Sequence, residues 1–246
     1  MPSPLNFQNW LSGSMGSLLA KAETSAFREL LTSRYYPYAI QFGSPEIRVL
    51  DELNSRYSVQ LGVPGSDLRP SGVVSAMNSA PFATHTFDLV ILPHSLDFTP
   101  DPYQLLREYT QIMTSDGYLI LTGFQPYSLW GVSKLLRPAS KQQPWAGNFY
   151  SVNRIQDWLL LLGFQIQAGQ LLMYRPPVAN PTIFDRLAFL ESAGNRWWPM
   201  FGAVYIILAQ LKTLRAIPVS KRSARSRIQS AFPRPVSQSQ SSGNHS

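Results

Sequence analysis

Cysteine and histidine, whose side chains often serve in covalent, acid-base and metal chemistry, are scarce in this chain. The 246 residues include no cysteine and three scattered histidines, His85, His94 and His245. A thiolate nucleophile and a cysteine-ligated metal are therefore excluded, and the histidine pattern predicts no metal site. The motifs G-x-x-x-x-G-K-[ST], G-x-G-x-x-G, H-E-x-x-H and G-x-S-x-G are also absent. We therefore look for a candidate site in the loops at the ends of the predicted strands.

His94 is the histidine best placed for catalysis. It follows a nearly continuous apolar run from Phe87 to Leu92, which predicts a strand covered on both faces of a parallel sheet. Ligands bind beyond the carboxyl ends of such strands. As a general base, His94 would add about 10² to 10⁴ to a rate. A hydrogen-bonded loop histidine without a catalytic role is the alternative, and Asp97 could equally lead into the next helix.

A helix start follows this loop. Pro93 ends the strand, and Asp101, Pro102 and Gln104 then provide a side-chain cap, a proline in the first turn and a capping-box partner. The pattern predicts that the polypeptide returns along one face of the sheet.

The helix and the strand after it complete a crossover unit. Apolar residues recur at helical spacing at Leu105, Leu106, Tyr109, Ile112 and Met113. The spacing predicts a helix that continues until Gly117 permits a left-handed turn. Tyr118 to Thr122 is the next apolar strand. Two buried strands joined by one amphipathic helix form a right-handed crossover of an open α/β sheet.

The same criteria predict the remaining elements. A leading helix covers Leu18 to Thr32; its expected role is packing, and a lid over a ligand is the alternative. Further strands lie at Tyr38 to Phe42, around Tyr57 to Leu61, and at Gly72 to Met77. After Gly123 the sequence predicts an aromatic loop, FQPYSLWG, and a basic linker, KLLRPASKQQP. Ser151 caps a helix that runs to Leu162 and stops at Gly163, before strands at Phe164 to Tyr174 and Ala203 to Leu211. The last two strands have no strong helical pattern between them, which predicts an antiparallel hairpin edge.

The central sequence, from NSAPF through FDLVILPHSLDF and DPYQLL to DGYLILTG, resembles class I S-adenosylmethionine-dependent methyltransferases, the type 11 group in particular. The order and spacing of these pieces are typical of that family, and the likeness extends from about Tyr38 to Gln210. The resemblance implies a Rossmann-like α/β fold: a mostly parallel sheet of seven strands, an antiparallel last strand and helices on both faces. It also implies S-adenosylmethionine as co-substrate, with no metal.

The resemblance also assigns roles to three loops. It implies that the loop after the first strand holds the methionine part of the cofactor, that the second holds the adenine, and that the third lies at the methyl donor. In this chain the first of these loops contains Gln41, Phe42, Gly43 and Ser44. The second contains Asn78, Ser79 and Ala80, and the third contains Pro93, His94 and Ser95.

The first loop departs from the family pattern. It reads Gln41-Phe42-Gly43-Ser44-Pro45, with one glycine in place of a glycine-rich turn, and Pro45 cannot donate a backbone hydrogen bond. In this family an acidic residue after the second strand binds the ribose hydroxyls. Three residues of this chain are candidates for it: Glu46, Asp51 and Asp67.

Two functions are consistent with these features. The first is methyl transfer to a small or lipid-like acceptor, whose pocket could be walled by Phe124, Tyr127, Trp130, Trp145 and Tyr150; core packing is the alternative role of those rings. The second is a catalytically inactive methyltransferase-like binding or scaffold protein, which the departing first loop favours. A nicotinamide-dependent reductase would need a glycine fingerprint and a Tyr-x-x-x-Lys pair, and neither is present.

Charge divides the chain. Residues 1–211 contain 14 basic and 14 acidic residues, whereas residues 212–246 contain 7 basic residues and no acid. The predicted organisation is a helical segment over 1–37, a methyltransferase-like domain over 38–211 and a basic disordered tail over 212–246. The tail could contact nucleic acid or anionic lipid, or stay solvated. We predict no transmembrane segment and a cytoplasmic location, because no apolar run reaches the roughly 20 residues that a span requires.

Overall fold

A computed structural model describes residues 4–31, 33–66, 68, 72–75, 80–136, 142–177, 186–187, 189–191 and 201–212 of the chain. The helices are α1 (Pro4–Leu11), α2 (Ser14–Leu31), α3 (Pro102–Gln111), α4 (Leu129–Leu135) and α5 (Val152–Leu161). The strands are β1 (Tyr36–Phe42), β2 (Ser55–Gly62), β3 (Val73–Val74), β4 (Phe87–Pro93), β5 (Met113–Phe124), β6 (Phe164–Leu172) and β7 (Val204–Leu211). None of the helices within these ranges is long and apolar enough to cross a membrane.

The described strands form one sheet in the order β3-β2-β1-β4-β5-β7-β6. Strands β1 to β5 pair in parallel, and β7 lies antiparallel between β5 and β6. The predicted sheet, with its antiparallel last strand, is therefore confirmed. Because parallel strands end at one edge, the loops after β1, β4 and β5 lie side by side, and this carboxyl edge carries the site.

Helices cover both faces of the sheet, as predicted. On one face, α1, α2 and Trp130 of α4 pack with sheet residues such as Leu89 and Ile120. On the other, α3 and α5 pack with alternate residues such as Val90 and Leu119. This alternation explains why the central strands are apolar throughout: successive side chains enter opposite cores.

The crossover helix is shorter than predicted. Its start is confirmed, because the Asp101 carboxylate accepts a hydrogen bond from the Gln104 amide at 2.9 Å. The helix ends at Gln111, and Met113, predicted to be helical, pairs with Phe87 as the first residue of β5. The left-handed residue is Asp116, with φ 65°, instead of Gly117. A register irregularity between β4 and β5 accommodates this turn inside a 12-residue strand.

Two other predictions need correction. The segment after Phe124, predicted as an aromatic loop and a basic linker, contains helix α4, which begins where Ser128 Oγ accepts a hydrogen bond from the Gly131 amide. The predicted strand from Gly72 to Met77 is described as strand only at Val73–Val74, and residues 76–79 lie outside the described residues. The predicted cap at Ser151 and stop at Gly163, which has φ 87°, are both confirmed. The predicted tail lies outside the described residues from residue 213 onward.

Candidate functional site

The loop after β1 turns sharply through two left-handed residues. Gly43 has φ 69° and Ser44 has φ 42°. The buried amide of Gln41 fixes the turn from inside, because its Nε2 donates to the carbonyl oxygens of Ser44 and Ile47, each at 3.0 Å. A β-carbon built at Gly43 would meet no atom within 4 Å. No described residue therefore fills the space beside the Gly43 α-carbon.

The loop after β4 lies against the first loop. His94 adopts φ 51°, and its amide donates to the carbonyl of Thr122 on β5 at 3.1 Å. The Ser95 hydroxyl lies 3.3 Å from the carbonyl oxygen of Phe42, to which it donates. The structure thus brings together the predicted residues of the first and third loops.

His94 forms a buried charge network with two carboxylates. Its Nδ1 lies 2.8 Å from Asp97 Oδ2, and its Nε2 lies 2.8 Å from Oε1 of Glu23 on α2. All three side chains are fully buried. The Phe124 amide at the end of β5 also donates to Asp97 Oδ2, at 3.1 Å. Three separate elements therefore meet at one imidazole.

The electrostatics of this network favour a protonated histidine. Burial by itself would lower the pKa of His94, but the Glu23 and Asp97 carboxylates outweigh it and raise the pKa to about 9. Burial raises the pKa of Asp97 to about 6, against the opposing hydrogen bond from His94. At neutral pH the imidazolium donates both N–H groups and has no free nitrogen with which to accept a proton. The geometry favours the hydrogen-bonded loop histidine over the general base.

Helix α1 covers the place where the two loops meet. Pro4, Phe7 and Gln8 face the backbone of the first loop and the ring of His94. The Phe7 ring lies 4.4 Å from the Phe98 ring and 5.0 Å from the His94 ring, centre to centre. The remaining cavity measures about 10 Å³, which is room for about one water molecule.

A much larger pocket opens farther along the same sheet edge. It measures about 1110 Å³ and is mainly apolar. Its lining includes Tyr127, Leu129, Val132, Phe149, Tyr174 and Phe201. Phe149 stacks on Phe124 at 4.9 Å, and Phe124 packs on His94 at 4.3 Å. One aromatic ring therefore separates the pocket from the charge network.

The remaining predicted site residues are distributed as follows. Asn78 and Ser79 lie outside the described residues, and Ala80 is half-buried against the core on the α3 face. Glu46 and Asp51 precede β2, so neither stands at the carboxyl end of that strand, where a ribose-binding acid is expected. Asp67 lies outside the described residues. Ribose ligation therefore remains a prediction without a described residue.

The predicted aromatic wall divides into two groups. Phe124 and Trp130 are fully buried in the core, whereas Tyr127 is 69 % exposed and lines the large pocket. Trp145 and Tyr150 are half-buried. Core packing thus accounts for two of these rings, and Tyr127 can contact a ligand.

Sequence reasoning missed Glu23 and Phe7. The detectable signal for Glu23 was its position: it lies on the apolar face of α2, between Leu19 and Phe27, where a charged residue requires a partner. Among the described residues, no group of His, Asp and Glu side chains has an arrangement that could hold a metal ion.

Comparison with known proteins agrees with the architecture. Residues 48–121 match the family described as "Methyltransferase domain". The sheet order and the antiparallel β7 are those of class I S-adenosylmethionine-dependent methyltransferases, which confirms the resemblance predicted from the sequence. The fold is thus that of this class.

Individual relatives extend the comparison. The uncharacterized protein YafS of Escherichia coli is 27% identical over 221 residues, covering 88% of this chain and 86% of YafS. A crystal structure of an S-adenosylmethionine-dependent methyltransferase from Thermotoga maritima has a TM-score of 0.54 at 16% identity, covering 78% of this chain and 89% of that one. The [4+2]-cyclase SpnF has a TM-score of 0.51 at 14% identity, covering 77% and 80%. These structures share the fold with this chain.

Proposed function

We propose that this protein is an S-adenosylmethionine-dependent methyltransferase that acts on a small or lipid-like acceptor. The observation that carries the proposal is the pairing of two features at one sheet edge: two strand-end loops with an open backbone at Gly43, and a large apolar pocket one ring away. Ligand pockets of about 300 to 1,000 Å³ are lined mainly by apolar side chains with a few polar groups. An acceptor with an extended apolar part suits this pocket.

The chain's own residues would bind and orient the reactants. S-adenosylmethionine supplies an electrophilic methyl group, and transfer is an in-line displacement for which positioning can provide about 7 to 11 kcal/mol. A dedicated base is therefore optional. We assign His94 no proton transfer, because both of its ring nitrogens face buried carboxylates. Its role is to hold the loop after β4 against the end of β5.

In the described conformation the site does not accommodate the cofactor. Helix α1 leaves about 10 Å³ at the loops, far below the few hundred Å³ of a small-molecule pocket. Binding at these loops therefore requires α1 to leave. The residues of the first loop are themselves compatible with cofactor binding, since Gly43 offers a backbone without a β-carbon and Gln41 holds the turn in place.

A second candidate is a binding module that has given up the cofactor. The covering by α1 favours it, and so does Pro45, which has no N–H to donate. Such a module would use the large apolar pocket and leave α1 permanently in place.

Calorimetric titration with S-adenosylmethionine and with its demethylated product separates the two candidates. The methyltransferase proposal predicts saturable binding to the full chain, strengthened when α1 is loosened by Gly16→Ala or Phe7→Ala. Absence of binding at millimolar concentration, where free energies are near −4 kcal/mol, in the wild type and in both variants would exclude it. That result would leave the binding module as the better description.

A further inference from the structure

Helix α4 presents an apolar face to solvent. Leu129, Val132, Leu135 and Leu136 are 49 %, 53 %, 78 % and 77 % exposed. Their spacing of three and four residues places them on one side of the helix, opposite the fully buried Trp130. We call these four residues the α4 apolar face. Four large aliphatic side chains in one exposed stripe indicate a surface that another apolar medium covers.

The α4 apolar face is continuous with the mouth of the large pocket. Leu129, Val132 and Leu135 belong to both. Tyr127 and Phe201, which are 69 % and 56 % exposed, border the same opening. Tyrosine is typical of membrane interfaces, because its ring is apolar and its hydroxyl remains in water.

The charge of the chain indicates what covers this face. The sequence from Lys134 to Lys141, KLLRPASK, contains three basic residues and no acid, and residues 212–246 add seven more without an acid. Two of these cations are occupied: Lys134 Nζ donates to the carbonyl of Gly147, and Lys212 Nζ lies 3.4 Å from Asp116 Oδ1. The other cations of these segments favour an anionic partner.

Three occupants can be compared on this basis. A second copy of the chain would add seven more tail cations and no tail acid, so it offers no excess negative charge to match the basic segments. A nucleic acid would use the cations and could stack on Tyr127 and Phe201, but it would leave the four aliphatic side chains of the α4 apolar face in water. An anionic bilayer uses both features, since acyl chains receive the leucines and headgroups receive the cations.

We infer that the α4 apolar face inserts into the surface of an anionic lipid bilayer, with the basic segments supplying the electrostatic part of the binding. Peripheral binding of this kind requires two signals, an apolar insertion and a polybasic segment. The inference concerns binding alone and does not depend on methyl transfer.

Vesicle co-sedimentation of the full chain tests it. Vesicles of phosphatidylcholine alone are compared with vesicles that also contain phosphatidylglycerol, at low and high salt. We expect binding to the anionic vesicles, weakened by salt, and a loss of about tenfold or more in the L135Q/L136Q variant. The matched control is L160Q/L161Q on α5, where the leucines are 60 % and 75 % exposed but α5 covers the opposite face of the sheet; it should bind as the wild type does.

The variants are suited to this comparison because the substituted side chains are mostly exposed, so both should melt close to the wild type. Circular dichroism checks this. Wild-type binding by L135Q/L136Q would overturn the inference, since the cations alone would then explain attachment. Failure of the wild type to bind anionic vesicles would overturn it too. A third result would also overturn it: single-stranded DNA displaces the wild type from the vesicles and binds both leucine variants with equal affinity.

Discussion

Nε2 of His94 lies 2.8 Å from Oε1 of Glu23, a residue 71 positions earlier in the chain. The contact joins α2 to the loop after β4, and Asp97 holds the other side of the same ring. The network is fully buried, so it cannot exchange its partners for water. The position of α2 and the shape of the loop therefore depend on each other.

Removing the Glu23 carboxylate should destabilise the fold strongly. Glu23→Ala leaves the imidazolium with one carboxylate in a buried site, and breaking a buried ion pair costs about 3 to 5 kcal/mol. Glu29→Ala, an exposed position on the same helix, is the control and should change stability by less than about 0.5 kcal/mol. Urea unfolding of both variants measures the difference. Equal effects would show that Glu23 is not coupled to His94.

Stability should fall as the pH rises through the alkaline range. Folding raises the pKa of His94 from 6.5 to about 9, so between these values the native state binds more protons than the unfolded chain. The stabilisation is present below pH 6.5 and is lost as the pH passes 9, by up to about 3 kcal/mol. The raised pKa of Asp97 acts in the same direction between 3.8 and about 6.

Denaturant titrations of the wild type and Glu23→Ala, from about pH 6 to pH 10, test this linkage. The variant has lost the carboxylate that contributes most to raising the pKa of His94, so its slope between pH 6.5 and 9 should be smaller. Parallel curves would place the titrating group elsewhere. Direct ¹⁵N NMR titration of the imidazole provides an independent reading of the same pKa.

Loosening α1 should strengthen cofactor binding. Gly16 allows α1 and α2 to pack closely, since a β-carbon there would overlap the Trp10 carbonyl and the Leu11 backbone. Gly16→Ala therefore displaces α1, and Phe7→Ala removes its main contact with the site. Apparent affinity for S-adenosylmethionine should rise about tenfold for each 1.4 kcal/mol by which the packing of α1 on the loops is weakened. Asn9 is exposed on α1, so Asn9→Ala should leave the affinity unchanged. A higher affinity in this variant would argue that the effect does not come from displacement of α1.

Gly43 should resist substitution because of its backbone conformation. Its φ of 69° is costly for residues with a β-carbon, while the space around it is open. Gly43→Ala should therefore lower the free energy of unfolding by about 1 to 2 kcal/mol through strain alone. Gly169→Ala is the control: it lies in β6 at an ordinary contact distance and without a positive φ. An unchanged free energy of unfolding in Gly43→Ala would show that the turn relaxes.

The sequence predicted the central unit well because its strands are apolar on both faces and its helix start at Asp101 is explicit. It missed α4, although Leu129, Val132 and Leu135 recur at helical spacing, because this helix has only seven residues and its apolar stripe faces solvent instead of the core. It also failed at Glu23, because no local pattern indicates which distant side chain a buried carboxylate contacts. Likewise, the uncharged sequence of α1 is typical of a packing helix and gives no sign that the helix covers a site.

The connection between α1 and α2 consists of two residues, Ser12 and Gly13. A released α1 would therefore remain tethered beside the loops that it covers, at an effective concentration on the order of millimolar. The helix then acts as an intramolecular competitor that dilution cannot remove. Any ligand of these loops competes with a segment of the protein itself, so its apparent affinity reports the opening equilibrium of α1 together with the contacts that the ligand makes.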